Sequence, residues 1–285
     1  KIHGDSIGNL FWMSMLFFPV FHTLLIGQMG VIFGMLPVCL GYAWLCGNKP
    51  LRAGLVWSVL LLKPQFAPVA AVICLSHALR GRYRCLAGLV LGSFIFGMIN
   101  IFVLGPEVAA RWLHCLRLAE KTYEFPSYLL VCLPGALLLA VPAGQRAIAK
   151  LPIYGLSAAV GLSALWQSSR LLGRACQQAH ALALVLSSFA TPLVVPHLLF
   201  YDLTCLVPAG FLIYARSAGR QSDKLSRVAT LVWLAINLYM AVFFLIGPRW
   251  APPLILTAVL LAAYLAVFAM LWREHAPAGT GTIHP

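Results

Sequence analysis

One lysine and one aspartate stand out because their surroundings are apolar. Lys63 lies in Leu62-Lys63-Pro64-Gln65, between two apolar stretches. A half-buried ammonium is best offset by a phosphate, and Gln65 adds a hydrogen-bonding group beside it. Snorkelling of the lysine stem towards an interface accounts for such a placement too. Asp202 falls at the end of Thr191-Pro192-Leu193-Val194-Val195-Pro196-His197-Leu198-Leu199-Phe200-Tyr201-Asp202-Leu203. An acid there caps the helix that follows and complements its dipole, and it can line a site at the same time. His197, in a proline-bent segment, suits either a ligand or proton-transfer role or a neutral, hydrogen-bonded one. A third group, His22, Gly27 and Gln28, marks the joint between the first two apolar runs. His22 and His77 lie on apolar faces and read as structural.

The elements that must carry these residues belong to a membrane. Of 285 residues 61% are hydrophobic and only 9% charged, and the mean hydropathy is +0.90. Soluble domains are roughly a quarter charged, which excludes a water-soluble globule and leaves no room for a separate catalytic domain. Twenty Lys and Arg against seven Asp and Glu give a net charge of +13. Without a basic run interleaved with aromatics, that excess points to basic loops on the cytoplasmic leaflet rather than to nucleic acid. The eight cysteines form no CxxC and no Cys/His ligand spacing, and most behave as small hydrophobes. Cys115 and Cys132 share a loop in which they could pair. No metal set, P-loop or GxGxxG element is found, so no metal or cofactor is expected.

The apolar runs are 7–25, 30–46, 53–62, 64–79, 85–104, 129–141, 151–167, 179–190, 203–215, 228–246 and 253–271. A span needs about 20 apolar residues. Runs 53–62, 64–79, 179–190 and 203–215 are too short, and they flank Lys63-Pro64 or the 191–201 segment. Helices that break beside a polar residue are tolerated in lipid only where they line a protein-buried or watery cavity. Taking Arg80-Gly81-Arg82-Tyr83-Arg84 and the basic segment 216–227 as cytoplasmic puts most of the 20 basic residues inside. The Gly27-Gln28 turn, Lys63, residues 105–150 and residues 191–201 then fall outside. Alternation requires that 129–141, broken by Pro134-Gly135, does not cross. The expected architecture is an all-α integral membrane bundle over residues 1–273 in a cell (inner) membrane. It has about ten membrane segments, an external loop over 105–150 with a re-entrant element at 129–141, and a cytoplasmic C-terminus. Residues 274–285 read as a disordered tail.

Gly27-Gln28, Lys63-Pro64-Gln65, Arg80-Gly81-Arg82-Tyr83-Arg84, and Thr191-Pro192 followed by Tyr201-Asp202-Leu203 occur in an order that resembles glycosyltransferase family 87. That resemblance runs from about Leu10 to Pro208. It implies a GT-C-like helical fold and transfer of a hexose, mannose first among them, from a polyprenyl-phosphate donor to a lipid or glycan acceptor on the external face. On that reading Lys63 grips the phosphate, Gln28 and Gln65 donate hydrogen bonds, and His197, Tyr201 and Asp202 contact sugar or acceptor. The interval from Thr191-Pro192 to Tyr201-Asp202 is longer than in the family. The family's catalytic aspartate, in a first external loop, has no counterpart here, because Asp5 falls on the cytoplasmic side. The resemblance therefore implies a fragment, a truncated product or a degenerate paralogue, whose catalytic residue is not identified. Two other classes fit the same residues: a transporter or flippase, and a non-catalytic binder of lipid-linked sugar. The lack of an internal repeat relating the two halves weighs against the transporter.

Overall fold

The computed structural model describes residues 4–108, 110, 111, 114, 129–173, 177–217 and 224–274. Twelve α-helices account for most of them: α1 (Gly4–Met15), α2 (Phe18–Leu25), α3 (Leu36–Cys46), α4 (Pro50–Trp57), α5 (Ala67–Ala78), α6 (Arg84–Leu104), α7 (Leu133–Ala140), α8 (Arg146–Leu172), α9 (Gln177–Val194), α10 (Val207–Ser217), α11 (Lys224–Leu245) and α12 (Pro253–Glu274). Three 3-10 segments, Ser58–Leu62, Pro64–Phe66 and Phe200–Leu206, sit where polar residues interrupt the apolar runs. A single π-turn, Val31–Met35, leads into α3.

Among the described residues, four helices are long and apolar enough to cross a membrane: Arg84–Leu104, Ala143–Leu172, Lys224–Leu245 and Pro253–Arg273. The chain is a helical membrane protein, but the described residues do not bear out ten spans. Val31–Cys46, Pro50–Leu62, Pro64–Ala78 and Gln178–Val194 are apolar but shorter. The run 7–25 also divides, at Leu16-Phe17, into α1 and α2. Helices of this length are stable in lipid only when their freed backbone groups find partners in the protein. One such partner is visible at the α1–α2 break, where the Phe18 N–H donates to Asn237 Oδ1 of α11 at 2.9 Å.

Glycine sets the closest approaches. Gly54 of α4 faces the backbone of Cys85 and Leu89, and Gly88 of α6 faces the Leu51 carbonyl. One turn on, Gly92 meets the side chain of Ser58. Gly88-x-x-x-Gly92 is the small-residue spacing that lets two helix backbones touch within a membrane. In the same way Gly34 and Gly41 leave room for the rings of Phe66 and Trp57, both of them almost fully buried. These contacts pin the segment that carries Lys63 against the π-turn and α3.

The core is built around α9, whose residues from Leu182 to Leu193 are nearly all buried. Helix α9 lies against α5, α8, α10 and α12. The hydroxyls of Ser187 and Thr191 donate back to the carbonyls of Ala183 and Ser187, at 2.7 and 2.8 Å, so this polar stripe is buried without needing a partner from another helix. At the far end of α5, Ser76 donates to the Leu165 carbonyl at 3.2 Å. Arg80 Nε donates to the Ser169 carbonyl at 2.9 Å, and Arg82 to that of Leu172 at 3.5 Å. The two arginines thereby bond carbonyls in the last turn of α8, that of Ser169 in addition to the Gly173 N–H at 3.2 Å. Arg170 lies against the stacked rings of Trp166 and Trp272, 4.9 and 4.6 Å from their centroids. Such cation–aromatic stacking suits a membrane interface.

The segment 129–141 forms α7, eight residues and about 12 Å long. Just before it the chain runs antiparallel to the strip leading to Asp202. Leu130 bridges Leu199, Val131 N–H donates to the Leu198 carbonyl at 2.9 Å, and the Cys132 thiol donates to the Pro196 carbonyl at 3.3 Å. Cys115 lies outside the described residues, as do residues 115–128 of the external loop and the tail from residue 275.

Replacing Gly88 by Leu drives a side chain into the α4 backbone and is expected to destabilise the protein by about 1–3 kcal/mol. Gly97, on the same helix with nothing within 4 Å of an added Cβ, is expected to tolerate alanine. Thermal unfolding of the two variants in detergent checks the contrast.

Candidate functional site

The residues singled out in the sequence converge at one end of the bundle. Helix α2 ends at Gly27, whose φ of +68° favours glycine. The Gln28 N–H closes the turn on the Thr23 carbonyl at 2.9 Å, the pattern of a left-handed helix C-cap. Lys63 is the hinge between two 3-10 segments. Pro64 starts the second, and the Phe66 N–H returns to the Lys63 carbonyl at 3.0 Å. On the other side, α9 stops at Val194 and the chain bends through Pro196 before the 3-10 segment Phe200–Leu206 begins.

Asp202 caps that segment: its Oδ2 accepts the Leu199 N–H at 3.4 Å, and its own N–H donates to the Leu199 carbonyl at 2.8 Å. The capping role expected of this acid is present. Its other oxygen, Oδ1, lies 2.8 Å from Lys63 Nζ, with Asp202 only 1% exposed and Lys63 12%. Snorkelling does not describe Lys63, whose head is held inside the protein by an acid 139 positions away. The ammonium also donates to Gln28 Oε1 at 3.4 Å and sits 5.2 Å from the centroid of the Tyr201 ring.

Aromatic rings close the back of the site. His22 lies parallel to Tyr201 at 6.2 Å and edge-on to Phe200 at 4.7 Å. Phe18 and Phe244 complete the stack, 5.9 and 5.5 Å from the His22 ring. The Thr23 hydroxyl donates to the Tyr201 carbonyl at 3.1 Å, tying α2 to the strip that carries Asp202. His22, read as structural, thus packs directly on the site.

Gln28, Lys63, Tyr201 and Asp202 are therefore brought into one cluster. Gln65 stands beside Lys63 in the chain but makes no hydrogen bond to it; its Oε1 is buried without a partner. His197 is exposed, five residues before Asp202. Two further residues belong here. Gly30 packs against Thr204, Thr23 and the Lys63 stem, at 3.5 to 3.7 Å from where a Cβ would stand. Thr204 is fully buried and its hydroxyl has no partner. Their sequence signals were slight: a second glycine three residues after Gly27, and a hydroxyl two residues after Asp202.

The arrangement offers a paired but not saturated charge. An ammonium has three donor directions, and two of Lys63's are taken. His22 Nδ1, Gln65 Oε1 and Thr204 Oγ1, on three of the elements that form the site, have no protein partner. Buried polar atoms are normally satisfied, so each is a place for a ligand or a water. No group of three or more His, Cys, Asp or Glu able to hold a metal occurs among the described residues.

Fold and site together define a helical membrane protein with a buried ion pair where its shorter helices break. No protein-family model matches the chain, and neither does any curated protein or solved structure.

Removing one member of a buried pair strands the other charge, which costs about 3–5 kcal/mol, whereas replacing both by apolar residues is often neutral. Lys63→Ala is therefore expected to lower the unfolding temperature in detergent well below that of Lys63→Met combined with Asp202→Leu. Equal destabilisation by both would mean that the pair adds nothing beyond packing.

Proposed function

We propose that this protein is a membrane glycosyltransferase that moves a hexose, with mannose the first sugar to test, from a polyprenyl-phosphate donor to a lipid or glycan acceptor. The observation that carries this reading is the buried Lys63–Asp202 pair, surrounded by polar atoms that have no protein partner. In the proposed reaction the bond between the anomeric carbon and the phosphate oxygen breaks, and a bond to the acceptor oxygen forms. The acceptor proton passes to a base, and the phosphate leaves as an anion. The base is not assigned to a residue of this chain.

Charge develops on the leaving phosphate, and preorganised donors there lower the barrier. Lys63 meets that need through its remaining donor direction. Asp202 and Gln28 hold the ammonium in place, so little reorganisation is required when charge appears. Gln28 accepts from Lys63 through Oε1 and so keeps its amide hydrogens for the phosphate or sugar. Gln65, Thr204 and His22 supply hydrogen-bonding atoms within the same joint. Tyr201 presents a ring face of the kind on which a sugar stacks, and the exposed His197 stands at the edge for the acceptor. The basic ends of α5 and α8, which carry Arg80, Arg82 and Arg170, lie about one α5 length, roughly 18 Å, from Lys63. In this reading they face the cytoplasm and the ion pair faces the external side, with the C-terminus at the cytoplasmic end.

Broken helices around a buried pair also suit a transporter or a lipid-sugar binder, and one assay separates the three. Membranes containing the protein are incubated with radiolabelled polyprenyl-phosphate-mannose, and label is followed into lipid or glycan. Transfer is expected, and Lys63→Met with Asp202→Leu is expected to reduce it at least a hundredfold while remaining folded. Label that crosses the bilayer unchanged would identify a flippase, and label retained on the protein a binder.

A further inference from the structure

A cavity of about 310 Å³ opens between α1, α10 and α11, and Leu206, from the 3-10 segment that carries Asp202, is part of its wall. Phe17, Leu206, Phe211 and Trp233 are among the residues of its largely apolar wall. Leu206 ends the 3-10 segment in which Asp202 is the third residue, so the backbone at this part of the wall stands about 8 Å along the segment from that of Asp202, at 2.0 Å per residue. The cavity continues beside α10 from Val207 to Tyr214, about another 10 Å. On the opposite wall, Phe17 immediately precedes Phe18, whose ring stacks on His22. The polar joint and the wall of the apolar cavity thus share two stretches of chain, Phe17-Phe18 and Phe200–Leu206.

We infer that this cavity holds a hydrocarbon chain of a membrane lipid, and specifically the chain of the lipid whose phosphate lies at Lys63. The identity of that lipid rests on the function proposed above; the chain site itself does not. Water is a poor occupant of most of this volume, because an ordered water needs two to four polar partners and the wall is largely apolar apart from Ser14, Tyr214, Ser226, Thr230 and Trp233. A lipid chain matches both the chemistry of the wall and the neighbourhood, since α11 is long and apolar enough to cross a membrane. A lipid also offers both parts that the two places call for: an anionic head for a buried ammonium, and an apolar tail for a cavity whose wall shares a 3-10 segment with Asp202. Gly210 lies on the cavity wall, and an added Cβ there meets no atom within 4 Å. A larger side chain at this position fills the cavity without displacing a neighbour.

Photolabelling tests the site on the full chain in lipid nanodiscs. The probes are dodecyl monophosphate with a diazirine midway along its chain and the equivalent diazirine-bearing dodecanol. Cross-linked peptides are located by mass spectrometry. The phosphate probe is expected to label the Phe211 and Trp233 peptides at least tenfold above the peptide containing Phe94 and Phe102 of α6, which are exposed. Gly210→Phe is expected to remove the cavity label and leave the α6 label unchanged. In the unsubstituted protein, excess unlabelled dodecyl monophosphate is expected to compete it away. Equal labelling of cavity and α6, or cavity labelling indifferent to both Gly210→Phe and competitor, would overturn the chain site. If dodecanol labels the cavity as strongly as the phosphate, the chain site stands and the phosphate reading at Lys63 fails. The two failures are therefore distinguishable.

Discussion

A charge removed from water inside a helical membrane protein must be matched, and here the match is the contact between Lys63 and Asp202. Neither residue is positioned by its own neighbours alone. Lys63 is placed by the Phe66 ring seated over Gly34 and by Pro64, which ends one short helix and starts the next. Asp202 is placed by its own cap on Leu199 and by the bridge from Leu130. Two helix breaks far apart in the chain are compensated at a single point. A free carboxylate or ammonium in the same place would carry a penalty of several kcal/mol.

The helix breaks around the pair follow from the same constraint. Backbone groups released from a helix inside a membrane require other partners, and, beside the local turn bonds, some of those seen here lie on neighbouring elements. Asn237 receives the Phe18 N–H, and Pro196 and Leu198 receive donors from the 131–132 strip. The glycines of α4 and α6 work towards the same end by bringing two backbones close enough to pack without large side chains. At the other end of the bundle, Arg80 and Arg82 donate to carbonyls in the last turn of α8, so the basic character of that end is structural as well as topological.

Much of the site was legible because the residues were of the wrong chemical type for their setting. A lysine beside a proline between apolar runs marks a helix break, and an aspartate ahead of an apolar run marks a cap. Gln28 and Tyr201 were visible for similar reasons. Gln65 shows where this reasoning weakens: adjacency to Lys63 in the chain suggested a joint role, but a 3-10 turn sends consecutive side chains in different directions. Thr204 and Gly30 gave little signal, since a threonine and a glycine in apolar sequence are unremarkable until another helix is laid against them. Counting apolar runs does not separate spans from shorter buried helices, because a run of 10–17 apolar residues reads alike whether it crosses a bilayer or lies within a protein core.

Composition by itself determined that the chain is helical and belongs in a membrane: so few charges among so many apolar residues leave the backbone no other means of satisfying its hydrogen bonds. Local chemistry determined where the helices stop. What only the tertiary structure decided is that Lys63 belongs with Asp202, and that Arg80 and Arg82 belong with the end of α8. It alone placed an apolar cavity between α1, α10 and α11. Those facts depend on which helices lie side by side, and a periodicity within one helix carries no information about the identity of its neighbour.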